Sequence, residues 1–115
     1  EQLALHHIRQ IKQKLGISGV QSDICGWKGD GAQIDLLIDR RDQTINLCEM
    51  KFSHGEFEIT KQYDERLRER AEIFRSATKT RKALHQTFVT TYGLKKNMYS
   101  GNVQSEVVLD DLFVE

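Results

Sequence analysis

Proline is missing from this chain, so its eight glycines do the backbone punctuation. Cysteine is scarce. Cys25 and Cys48 stand in predicted strands without a CxxC spacing. That excludes a disulfide-dense scaffold, and the expectation is two reduced core thiols in a cytoplasmic protein. Neither sign of charge is in excess: 17 Lys and Arg offset 17 Asp and Glu. Nucleic-acid binders are commonly basic overall, so any phosphate contacts here must come from a local basic face or from another domain. Long apolar runs are absent as well. None approaches the ~20 residues of a membrane span, no signal peptide is visible, and no membrane partner is expected. The motifs of three chemistries are missing: no GxxxxGK[ST] phosphate loop, no GxSxG nucleophile elbow and no Cys/His zinc spacing. The 4 histidines do not cluster. Gly29-Asp30-Gly31-Ala32 is too short and too acidic for a phosphate loop.

What is present is a chain of 115 residues, enough for one domain with one modest core. Its most informative stretch is Gly31 to Lys51, GAQIDLLIDRRDQTINLCEMK. This reads as two apolar strands joined by a polar turn at Asp39 to Thr44. Side chains alternate faces along a strand. Ile34, Leu36 and Ile38 then share one face of the first strand, while Gln33, Asp35 and Leu37 share the other. In the second strand Cys48, Met50 and Phe52 oppose Ile45, Leu47, Glu49 and Lys51. Pairing Asp35 with Glu49 puts both apolar sets on one side of the hairpin, and Asp35, Glu49 and Lys51 on the other. Directly opposed residues have Cβ atoms roughly 5 Å apart. Two carboxylates at that distance repel unless a cation lies between them, and Mg²⁺ is a hard, oxygen-seeking candidate. A lysine on the same face can orient water or stabilise developing phosphate charge. The plain alternative is a solvated strand face with a Glu49–Lys51 ion pair.

Those residues carry a resemblance. Asp35 followed by Glu49-Met50-Lys51 resembles the D…ExK signature of PD-(D/E)XK, or restriction-endonuclease-like, nucleases. The run from Glu1 to Phe113 also resembles the C-terminal domain of a group of bacterial AAA-type ATPases. That likeness lies in EQLALHHIRQIK, GAQIDLLIDRRDQTINLCEMKF and NMYSGNVQSEVVLDDLF. The resemblance implies a restriction-endonuclease-like αβββαβ core and a nuclease that uses Mg²⁺ or Mn²⁺. Asp35, Glu49 and the backbone carbonyl of Met50 would be its metal ligands, and Lys51 its catalytic lysine. Glu1 matches an acidic residue that the superfamily often adds from the helix before the sheet. Lys61, Gln62 and Tyr63 match a helix that often flanks the site, and Lys61 is favoured because Tyr63 reads as core. The implied partners are nucleic acid, with DNA first, and an ATPase domain of the same longer chain, of which this would be a C-terminal fragment. The alternative is an inactive nuclease-derived module that binds nucleic acid or docks on the ATPase. A homodimer through a sheet edge or helix face is a further possibility.

The remaining chain reads as α/β with a mixed sheet flanked by helices. Glu1 to Leu15 has helical periodicity through Ala4, Ile8, Ile11 and Leu15, and Gly16 is a plausible stop. His6 and His7 read as helix-surface residues. Val20 to Trp27 reads as a strand, with Trp27 packed on the sheet. His54 falls in a loop near the strand end that carries Lys51. Glu56 to Ala77 reads as a second helix with the stripe Ile59, Tyr63, Leu67, Ala71 and Phe74. Its interleaved charges read as a solvated face. Arg75, Lys79, Arg81 and Lys82 form the most cationic local cluster and are the expected phosphate contacts. Ala83 to Tyr92 and Val103 to Leu109 read as the last strands, followed by a short turn through Asp110-Asp111-Leu112-Phe113.

Overall fold

The computed structural model describes residues 6–113. Among these residues the fold is α/β, with a five-stranded mixed sheet and two helices. Helix α1 spans Ile8–Lys14. Strands β1 (Ser22–Gly29), β2 (Ala32–Arg40) and β3 (Thr44–Lys51) follow. Helix α2 spans Lys61–Thr78, and then come β4 (Ala83–Thr90) and β5 (Ser105–Val108). The strands lie in sequence order: β1, β2 and β3 are antiparallel, while β3, β4 and β5 are parallel. Short 3₁₀ turns at Ser100–Asn102 and Leu109–Phe113 complete the chain. Among the described residues no helix is long and apolar enough to cross a membrane.

Each helix covers one face of the sheet. On the α1 face Ile11 and Ile17 pack with Leu36, Ile38, Cys48, Val89, Val107 and Leu112. On the α2 face Phe74 and Ala71 pack with Ile34, Leu37, Ile45 and Leu47, and Leu67 packs with Phe88. Burying both faces explains why β3 is apolar from Ile45 to Cys48 apart from Asn46, rather than alternating.

Local chemistry sets the boundaries. Asp30 and Gly31, at φ 53° and 82°, form the two-residue turn between β1 and β2. An Asp-Gly pair suits it because both positions need positive φ. Gly16, at φ 74°, follows the C-cap of α1, as the sequence suggested. Helix α2 starts later than the sequence reading placed it. The Thr60 hydroxyl accepts from the Tyr63 N–H and fixes the N-cap, while Phe57 bridges to Leu94 as extended chain. Ile59 is therefore buried ahead of the helix rather than on its stripe.

A second correction concerns the face of Ile34. Cys25 pairs with Leu37, yet Trp27 pairs with Ile34. Asp35 and Leu36 together oppose Gly26, a β-bulge in β2. The extra residue flips the alternation, so Ile34 joins Leu37 on the α2 face and parts from Leu36 and Ile38. Gly26 accommodates the bulge: a Cβ there would lie 3.2 Å from the Asp35 carbonyl oxygen. Cys25 is also exposed rather than in the core, whereas Cys48 is buried; both are free thiols.

Candidate active site

The β2–β3 register pairs Leu36 with Cys48, Leu37 with Leu47 and Ile38 with Asn46. Asp35 and Glu49 are the next residues beyond the Leu36–Cys48 pair, but the Asp35–Glu49 pair expected from the sequence is not part of the ladder. The ladder stops at Leu36–Cys48, and β3 continues to Lys51 paired only with β4. The β2-side edge of Glu49, Met50 and Lys51 thus lies past the ladder. Asp35, on the bulge, is exposed, and its Oδ1 accepts from Gln33 Nε2 at 2.8 Å. Bulges often re-aim a side chain beside a functional site.

Glu49 is the best-held side chain of the group. Its Oε2 accepts from the Tyr63 hydroxyl at 3.0 Å and lies 3.1 Å from Arg70 Nη1. The same Arg70 nitrogen reaches the Gln33 carbonyl at 3.5 Å, which links the end of β2 to Glu49. Lys51 does not pair with Glu49. Its Nζ instead lies 5.5 Å from the Tyr63 ring centroid, and the Arg66 guanidinium lies at the same distance from that ring. Cations are attracted to an aromatic face within about 6 Å. Tyr63 also packs edge-on against Phe57 and Phe88. Burial, then the neighbouring Glu49 carboxylate, pushes its phenol well above the ordinary tyrosine range. Tyr63 therefore stays protonated at neutral pH and donates to Glu49; it is not a base.

The sequence-nominated auxiliaries scatter. Lys61 and Gln62 are exposed in the first turn of α2, and Tyr63, not Lys61, contacts Glu49. His54 is exposed in the loop after β3. Glu1 lies outside the described residues. Arg75, Lys79, Arg81 and Lys82 sit at the other end of the sheet, because Thr44 pairs with Ala83 while Lys51 pairs with Thr90. Seven strand steps separate those ends, roughly 23 Å. That cluster therefore does not reach a phosphate held at Lys51. Two of its members are already engaged. Arg75 donates to the carbonyls of Thr80 and Lys82, and Lys82 donates to Asp39 Oδ1 at 2.6 Å and to the Arg40 carbonyl. Lys79 is the left-handed C-cap of α2, at φ 56°. Arg66 and Arg70 stand nearer the site. Their signal in the sequence is the spacing Tyr63, Arg66, Arg70, which puts all three on one helical face.

A cavity of about 390 Å³ lies on the α2 face among Cys25, Trp27, Leu37 and Phe74. Its charged rim is the closed Lys82–Asp39 pair. It is apolar and away from Glu49, so the charge at the end of β3 is the better guide to chemistry. Thiol chemistry is disfavoured. Burial, then Glu49, pushes the Cys48 thiol up to about 12, and burial with Asp39 and Asp23 raises that of Cys25.

For a metal, the donors are hard oxygens. Asp35, Glu49 and a backbone carbonyl suit Mg²⁺ or Mn²⁺, and Mg²⁺ commonly uses one or two carboxylates and retains waters. No group of three or more His, Cys, Asp or Glu that could hold a metal occurs among the described residues. No family model and no curated protein matches the chain.

Proposed function

We propose that this chain is a restriction-endonuclease-like domain that hydrolyses phosphodiester bonds of nucleic acid, DNA first, and works attached to an AAA-type ATPase. What supports the reading is the β2–β3 ladder, whose last pair, Leu36–Cys48, has Asp35 and Glu49 as its immediate neighbours, with Lys51 two residues beyond. Asp35, Glu49 and the Met50 carbonyl would hold Mg²⁺ or Mn²⁺. The bound ion would polarise the phosphoryl oxygen and lower the pKa of water. Lys51 orients the attacking water and stabilises the charge that develops on the phosphate. Tyr63, locked as a donor, fixes the rotamer of Glu49.

Lys51→Ala tests the mechanism. Cleavage of a DNA substrate with Mg²⁺ should fall by at least about 10²-fold. The unfolding free energy should stay within about 0.5 kcal/mol, as expected for a side chain outside the core. Undiminished cleavage would refute the role given to Lys51. A second reading, a module that binds without cutting, is favoured by one observation: Arg70 already neutralises Glu49.

A further inference from the structure

Arg70 is incompletely matched by its surroundings. Its side chain and that of Glu49 are each 17% exposed. Its Nη1 meets Glu49 and the Gln33 carbonyl, but Nε and Nη2 are buried without a hydrogen-bond partner among the described residues. A guanidinium is always charged and presents its donors in a rigid fork. Leaving two buried donors unmatched is costly, so the fork has capacity for another acceptor. Arg66 and Arg70, with Glu69 and Ile73 between and beside them on α2, also line one cavity of about 260 Å³, walled on the sheet side by Gly31, Ala32 and Gln33. Lys51 and Arg66 face the Tyr63 ring, while Arg70 meets the Glu49 carboxylate to which that tyrosine donates.

We infer that Arg70 is a displaceable counter-ion: it holds Glu49 until a divalent cation replaces it, and the released fork then binds a phosphate oxygen in the cavity shared with Arg66. The inference rests on the reading of Asp35 and Glu49 as metal carboxylates. A guanidinium and a divalent cation compete for the same carboxylate and repel each other. Phosphate is the fork's other natural partner, bound through two parallel N–H bonds. Metal and phosphate both favour the displaced state, so each raises the affinity of the other.

The test is Mn²⁺ titration calorimetry on the parent, Arg70→Gln, Arg70→Lys, Glu49→Gln and the Glu49→Gln/Arg70→Gln pair, each first checked for folding by circular dichroism. Arg70→Gln should bind Mn²⁺ about tenfold tighter than the parent, and the added Glu49→Gln should abolish the gain. A thymidine dinucleotide should tighten Mn²⁺ binding by the parent but not by Arg70→Gln. Arg70→Lys keeps the charge and loses the fork. It should bind Mn²⁺ as the parent does but lose most of the dinucleotide effect, so the inference is tested even if Arg70→Gln does not fold. Unchanged affinity in Arg70→Gln, with binding still lost in Glu49→Gln, would overturn the counter-ion and leave the metal site standing. A dinucleotide effect in Arg70→Lys equal to the parent's would overturn the phosphate role. Mn²⁺ binding that is absent throughout, or indifferent to Glu49→Gln, would overturn the metal reading and the inference with it.

Discussion

The two ends of β3 are both rich in polar and charged groups, but they are built on opposite terms. At its start Arg40, Asp42, Asn46, Lys82 and Asp39 all have partners. Arg40 grips Asp42 with two nitrogens and donates a third hydrogen bond to Asn46 Oδ1. Asn46, 1% exposed, passes its amide to the Thr87 hydroxyl, which in turn donates to the His85 carbonyl. Lys82 closes on Asp39 and the Arg40 carbonyl. The Arg40 hydrogen bond holds the Asp42 carboxyl below its ordinary value. At the end of β3 the matching fails. Among the described residues Arg70 keeps two buried donors without acceptors, Lys51 and Arg66 face the Tyr63 ring, and Asp35 sits exposed on a bulge. A closed network is explained by the fold it supports. An open one beside a sheet end is where ligand chemistry is to be sought.

The contrast can be broken from either side. Asn46→Ala should have the largest effect on stability, because it strands a buried hydroxyl and a half-buried guanidinium donor. Urea denaturation should show a loss of about 1–3 kcal/mol, with Mn²⁺ affinity unchanged. At the other end, Glu49→Gln with Arg70→Met should be close to neutral, within about 1 kcal/mol by the same measurement. Replacing both members of a partly buried ion pair commonly costs little. If that double variant instead lost as much stability as Asn46→Ala, the Glu49–Arg70 pair would be structural and the distinction between the two ends would collapse.

Much of this arrangement was legible in the sequence, for stated reasons. The polar run between two apolar strands marked the β2–β3 hairpin, which brings Asp35 and Glu49 next to its last pair, and the Asp30-Gly31 turn carried its own φ requirement. The bulge was hidden because strict alternation counts residues and cannot register an extra one. Its one trace was Gly26 inside the facing strand; the run Leu36-Leu37-Ile38 reflects burial on both faces of the sheet. Arg70 was overlooked because mixed charges at helical spacing normally face water. Only its position seven residues after Tyr63 hinted at the sheet-facing side. Arg75 and Lys82 read as phosphate contacts from local charge density alone. The carbonyls and the aspartate that engage them come from distant sequence or from backbone geometry.

The central claim is that Asp35 and Glu49 form one divalent-cation site. The direct measurement is Mn²⁺ titration calorimetry on the protein beside the Asp35→Asn/Glu49→Gln double variant, with both shown folded by circular dichroism. Binding by the parent that disappears in the double variant is the predicted result. Equal binding by both, or none by the parent, would contradict the claim.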